Sequence, residues 1–157
     1  MTTKKTWLNI LMSIAAMAVL SVGCDKDDDD NQQDNTYTLS GTASGEQEVP
    51  AVTTSATGNL SGTYNADNNT LTYTISWTGL SGPPILMHFH GPALPGASAG
   101  PVVTITGFAA STSGSVSGTA TLTETEEADL LAGKWYYNIH TDANGGGEIR
   151  GQVTATP

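Results

Sequence analysis

From Thr36 onward the chain alternates apolar or small residues with hydroxyl-bearing ones at a period of two. That period marks β-strand, where successive side chains point to opposite faces. Tyr37, Leu39 and Gly41 alternate with Thr38 and Ser40, and Ala56, Gly58, Leu60, Gly62 and Tyr64 form a second series. Leu71, Tyr73, Ile75 and Trp77 alternate with Thr70, Thr72, Thr74 and Ser76. Asp67-Asn68-Asn69 is a turn signal, so 56–64 and 70–78 are predicted to pair as a hairpin. Further strands are predicted at Ile85–His90, Val102–Phe108, Ser115–Thr123, Lys134–Thr141 and Gly147–Ala155, with Gly91–Pro101 a loop and Asp142–Gly147 a turn. One short helix is predicted at 124–132. Thr123 with Glu126 fits a capping box, the acids Glu124, Glu126 and Glu127 suit a helix N-terminus, and Gly133 suits its end. Seven or eight short strands imply an all-β fold, an antiparallel β-sandwich or flattened barrel.

Residues 1–24 follow another pattern. Lys4 and Lys5 precede a mostly apolar run from Trp7 to Val22, and Gly23-Cys24 follow. A basic start, an apolar run and small residues at the cut make an export signal. The run is shorter than the ~20 apolar residues a spanning helix needs. Leu20-Ser21-Val22-Gly23-Cys24 resembles a bacterial lipobox, with its Leu four residues before the Cys rather than three. The expectation is a signal peptide at 1–23, with diacylation and N-acylation (palmitate among the chains) on Cys24. Several chains anchor stably where one is marginal. An ordinary secretory signal with an incidental cysteine is the other reading. Residues 24–35 carry Asp25, Asp27 to Asp30 and Asp34 and no apolar residue after Cys24, and so predict an acidic disordered tether. Its acidic run resembles signals that send lipoproteins to the outer face of the bacterial outer membrane. A tether facing the periplasm is the alternative.

Composition narrows the function classes. Only 13% of the 157 residues are charged, against a usual ~25%. Their place is taken by 24 Thr, 13 Ser and 18 Gly, which suits an extracellular β-module more than a cytosolic enzyme. The formal charge is -10, and residues 36–157 hold nine acids against Lys134 and Arg150. Such a chain does not suit nucleic acid, whose phosphates call for clustered Lys and Arg. A single cysteine excludes an internal disulfide and an all-protein cysteine zinc cluster.

The candidate chemistry lies in the three histidines, His88, His90 and His140. His88 and His90 share one face of a strand, ~6.6 Å apart along it, and leave Ile85, Met87 and Phe89 to the core side. On the late strand, Trp135, Tyr137 and Ile139 take one face, and Tyr136, Asn138 and His140 the other. Were the two strands neighbours, three neutral imidazoles would converge in a set suited to copper or zinc. The competing reading has them bracing the Pro/Gly-rich loop. Glu148 and Arg150, the only arginine of the chain, also share a face. They can form an anion site, or a structural ion pair of Arg150 with Glu148 or Asp142. Glu46-Gln47-Glu48 reads as a solvated strand end. No nucleophile motif, phosphate loop or dinucleotide fingerprint is present, and no catalytic residue is assigned.

Four segments carry a family resemblance. They are Leu39-Ser40-Gly41 with Gly45 to Pro50, His88-Phe89-His90-Gly91-Pro92-Ala93 with Gly100 to Val103, Leu131 to Thr141, and Gly146-Gly147-Glu148-Ile149-Arg150-Gly151-Gln152. Together they resemble the CHRD (chordin-type) domain over residues 38–154. The resemblance implies an immunoglobulin-like or superoxide-dismutase-like β-sandwich of unassigned activity, distantly similar to Cu/Zn superoxide dismutase. His88 and His90 match that enzyme's paired copper ligands, His140 its late copper ligand and Arg150 its guiding arginine. Residues 91–139 lack a histidine for the bridging and zinc positions, which puts dismutase activity in doubt. The expected function is a lipid-anchored, non-enzymatic binding or structural module of the outer membrane, meeting an unidentified protein or extracellular ligand. The alternative is a copper- or zinc-binding module.

Overall fold

The alternating segments become nine strands in the computed structural model, which describes residues 35–157. These are β1 (Thr36–Ser44), β2 (Thr57–Asn65), β3 (Thr70–Thr78), β4 (Pro84–His90), β5 (Pro101–Thr104), β6 (Gly114–Thr121), β7 (Tyr136–Thr141), β8 (Asn144–Gln152) and β9 (Thr154–Thr156). The predicted signal peptide, Cys24 and the tether as far as Asp34 lie outside the described residues. One antiparallel sheet runs in the order β5-β4-β7-β8-β1-β2-β3-β6, with β9 added beside β1. It curls into a nearly closed barrel, the flattened-barrel form of the expected all-β fold.

The predicted hairpin is β2–β3, in register from Thr57↔Thr78 to Asn65↔Thr70. Asn69 takes a left-handed φ of 54° in its turn, a conformation that Asn tolerates. Leu71, Tyr73, Ile75 and Trp77 all face the interior. They meet Leu39, Leu60, Met87, Phe89, Tyr137, Ile139 and Ile149 in one apolar core. The helix α1 (Glu124–Leu131) forms with both halves of the Thr123–Glu126 capping box, and Leu130 enters the core.

Four expectations are corrected. Ile85 is 42% exposed rather than in the core, because a register shift between Pro84 and Leu86 breaks the alternation at the start of β4. The strand expected to reach Phe108 ends at Thr104, though the Ile105 amide still donates to the Met87 carbonyl. The last strand divides at Val153, whose amide turns to the Trp135 carbonyl. The turn expected over Asp142–Gly147 is tight, since Thr141 already pairs with Asn144 and the glycines belong to β8.

All six residues of β7 are buried. One face of this strand joins the apolar core. The other faces a polar layer, and that layer contains the candidate site.

Candidate functional site

The strand order places β7 between β4 and β8. Cross-strand pairing then sets rows of side chains on the face away from the core. His88 stands opposite Asn138, which stands opposite Arg150. His90 stands opposite Tyr136, which stands opposite Gln152, and Leu86 stands opposite His140. The two strands bearing histidines are therefore direct neighbours, and the three rings gather. One ring nitrogen from each of His88, His90 and His140 lies within 4.8 Å of the others.

Two of the three are oriented by backbone. His90 Nδ1 lies 3.0 Å from the Ala99 carbonyl oxygen, and His140 Nδ1 lies 3.0 Å from that of Gly145. A carbonyl only accepts, so each Nδ1 carries the hydrogen. This is how metal-ligating histidines are commonly oriented, with the second nitrogen left for the ion. His140 Nε2 faces His88 Nδ1 at 3.4 Å. His90 Nε2 faces Asn138 Oδ1 at 2.9 Å; with the His90 hydrogen on Nδ1 both atoms are acceptors, so this is a close approach and not a hydrogen bond. The ring of His90 also stacks on Tyr136, with centroids 4.7 Å apart and planes 2° from parallel. Burial pushes His88 below the ordinary histidine range, and the neighbouring His140 and His90 push it further. Burial also lowers His140, against a smaller opposing effect of its bond to Gly145. Both rings are therefore neutral at neutral pH, as ligation requires.

The donor set fits copper or zinc, with one adjustment. Nitrogens bound to one ion at ~2.0–2.1 Å stand no more than about 4.2 Å apart. The present spread of up to 4.8 Å calls for a small inward rotation, and His90 Nε2 must turn from Asn138 Oδ1 toward the ion.

Beyond the histidines lie Arg150 and two glutamates. Arg150 is 2% exposed. Its guanidinium carbon sits 3.5 Å from the centre of the Tyr136 ring, so Tyr136 lies between His90 on β4 and Arg150 on β8. The expected pair of Arg150 with Glu148 is not formed. Glu148 is spent on other partners: it accepts from the Ser81 amide and hydroxyl, Thr141 Oγ1 and Thr54 Oγ1. Burial alone would raise its carboxyl, but these bonds outweigh burial and hold it below the ordinary value. Asp142 is exposed and forms no ion pair with Arg150.

The carboxylate that does face Arg150 is Glu48, and sequence reasoning missed it. The Glu46-Gln47-Glu48 segment is not a solvated strand end. Gly45–Gln47 makes a single 3-10 turn after β1, and Glu48 is 8% exposed beneath it. Burial raises its carboxyl to about 7, although Arg150, Asn138 and the Val49 backbone pull it back down. Gly147 marks the same contact from below. Its φ is 129°, and a Cβ there would overlap Glu48 Oε1. The glycine run before Glu148 was the one available sign that something packs closely there.

The family profile of the CHRD domain matches residues 39–153. Searches of curated proteins and of solved structures each found no match. All four resemblance segments fall within or against the matched span, and it includes every residue of the site just described. The chain belongs to the CHRD domain family.

Proposed function

We propose that this CHRD domain is a non-enzymatic binding module whose ligand centre is a metal site made by His88, His90 and His140. The observation that carries this reading is the convergence of three imidazole nitrogens from β4 and β7 within 4.8 Å. Two supports stand beside it. His90 and His140 are each oriented through Nδ1 by a backbone carbonyl, and His88 and His140 are shifted toward the neutral form. Imidazole sets suit copper and zinc rather than calcium or magnesium, which prefer oxygen. The same three rings would otherwise only brace the loops at Ala99 and Gly145. In that role His90 and His140 hold the two loops, and His88 only braces His140.

The module is carried, in this proposal, on the bacterial outer membrane by acyl chains on Cys24, with the acidic tether reaching toward the cell exterior. The lipobox-like Leu20–Cys24 segment and the run Asp27 to Asp30 support that address.

Calorimetric titration of the purified chain with Cu(II) and Zn(II) tests the metal centre. Binding tighter than ~10 μM is expected for at least one ion, and it should be lost in His90→Ala and His140→Ala. Weaker binding, or binding indifferent to His90→Ala, would remove the metal reading.

A further inference from the structure

The strands β9, β1, β2, β3 and β6 share a surface of another kind. On all five, the positions that alternate with core-facing ones are Thr, Ser or Asn throughout. Cross-strand register lines them up in rows. Thr38, Thr63, Thr72 and Thr119 form one row, and Ser40, Ser61, Thr74 and Ser117 the next. All eight are exposed. Not one Lys, Arg, His, Asp or Glu lies in these five strands. The β-branched shape of Thr suits a strand, and that accounts for many of the hydroxyls. It does not account for the missing charge. An ordinary surface carries roughly 25–35% charged residues, and a strand that ends a sheet, as β6 does, is commonly guarded by them.

This surface has a concave part. An open groove of about 340 Å³ lies at one end of the β2–β3 hairpin and is lined by Thr57, Asn59, Ser76 and Thr78. Thr57 pairs with Thr78 there, and Asn59 with Ser76. Two of the four side chains are already engaged. Ser76 Oγ donates to the Asn59 carbonyl at 3.5 Å, and Thr78 Oγ1 lies 3.2 Å from Ser113 Oγ. The Thr57 hydroxyl and the Asn59 carboxamide have no hydrogen-bond partner among the described residues. Both residues are exposed and border the groove, so a ligand lying in it meets them directly.

The chemistry of the face limits what it can hold. An anion finds no cationic group on these strands, and the domain around them is acidic, with nine acids against Lys134 and Arg150 in residues 36–157. A cation finds no carboxylate on them. An apolar ligand finds no large hydrophobic side chain, since the exposed ones among the described residues are Val49, Ile85, Leu86 and Leu94, all on other elements. What the face offers is hydroxyls and carboxamides, which both donate and accept. Adjacent strands stand about 4.8 Å apart, and same-face residues recur about every 6.6 Å along each. Such a surface answers a neutral ligand that repeats its own hydroxyls.

We propose that this face, with the groove at Thr57 and Asn59 as its anchoring contact, binds a neutral polysaccharide, a chain of uncharged hexoses. The outward positions offer no aromatic ring for stacking on sugars. Each contact is therefore weak, and binding gains strength as the chain engages successive rows. This does not rest on the metal reading, whose ligands lie on β4 and β7.

The test follows amide NMR signals of the full chain during titration with cellohexaose, laminarihexaose and maltohexaose, with hexagalacturonate as the charged comparator. Saturable shifts at Thr57, Asn59, Ser76 and Thr78 are expected with at least one neutral hexaose, at a Kd below about 10 mM. The trisaccharide of the same linkage should bind at least about threefold more weakly, and hexagalacturonate at least about tenfold more weakly. Thr57→Val keeps the β-branched shape and removes the hydroxyl. Combined with Asn59→Ala, it should weaken the hexaose about fivefold or more. Thr57→Val alone gives the same readout if the double variant fails to fold. Ser98→Ala, which removes an exposed hydroxyl from the loop after β4, should leave binding unchanged. Absence of saturable shifts with all the neutral hexaoses up to about 50 mM would overturn the proposal. So would equal binding of hexagalacturonate, a trisaccharide bound as tightly as the hexaose, affinity unmoved by the Thr57 and Asn59 changes, or shifts confined to the loops at Ala99 and Gly145.

Discussion

His88 Nδ1 lies 3.4 Å from His140 Nε2, across a ladder that joins residues 52 positions apart. His140 keeps its hydrogen on Nδ1 for the Gly145 carbonyl, so its Nε2 accepts and His88 Nδ1 donates. An ion placed between them takes both lone pairs and moves the His88 hydrogen to its other nitrogen. Protons compete with metal only when they can charge these rings. Burial holds both rings below their ordinary value of 6.5. Metal affinity should therefore be flat between about pH 8 and about pH 7 and decline only in more acid solution. Titrations across that range check this, and a decline already present between about pH 8 and about pH 7 contradicts it.

Glu148 ties together three segments: the stretch before β2, the turn after β3, and the end of β7. Glu148→Ala strands several donors at once and should cost about 3 kcal/mol or more of stability, read from the urea midpoint. The pH sign follows from its lowered carboxyl. The contribution is complete above the unfolded value of 4.5 and is lost as the pH falls through the lower folded value.

Glu48 acts with the opposite sign. Its carboxyl is raised from 4.5 to about 7, so its ionisation opposes folding. Stability should fall as the pH rises from 4.5 through about 7, and stay reduced above that. Glu48→Gln should abolish this slope and stabilise the domain at about pH 8 by on the order of 2 kcal/mol. Thermal melts of both proteins over that range decide the matter; a variant less stable than its parent at about pH 8 would count against it.

The different reach of the sequence reading has physical causes. The β2–β3 hairpin and the capping box at Thr123 were readable because each is decided within a few neighbouring residues. The His88 and His90 face was readable for the same reason, since alternation along one strand settles it. Their meeting with His140 depended on whether β4 adjoins β7, which no local pattern records. Glu48 was misread because its burial comes from a turn folding back over β8, and an acidic segment beside Pro50 looks the same whether water or Arg150 faces it. Ile85 was misread because a register shift leaves no mark in composition.

Asn138 stands between the histidines and the glutamate, its Oδ1 2.9 Å from His90 Nε2 and its side chain bordering Glu48. Asn138→Ala should destabilise the fold by roughly 1–3 kcal/mol. It should also strengthen copper or zinc binding, because the Asn138 oxygen no longer occupies the space facing His90 Nε2. Calorimetry beside denaturation reads both effects, and weaker metal binding in this variant would assign Asn138 a supporting rather than a competing role.

For the anchor, Cys24→Ala should move the protein from the membrane to the soluble fraction, because acyl chains supply the attachment. Retention in the membrane fraction would rule out the lipid reading. Replacing Asp27 to Asp30 by Ala should leave attachment intact and remove access to protease added outside the cell. Unchanged access would show that the acidic run does not set the face.

The burial of β7 on both sides gives this small protein two interiors. One is oily and formed by the barrel; the other is polar and roofed by loops. Alternation along Tyr136 to Thr141 does not divide inside from outside but sorts residues between the two. A change to a polar residue such as Asn138 or Tyr136 is thus a core mutation in everything but chemistry. Surveys that treat polar positions as surface would overlook this buried layer.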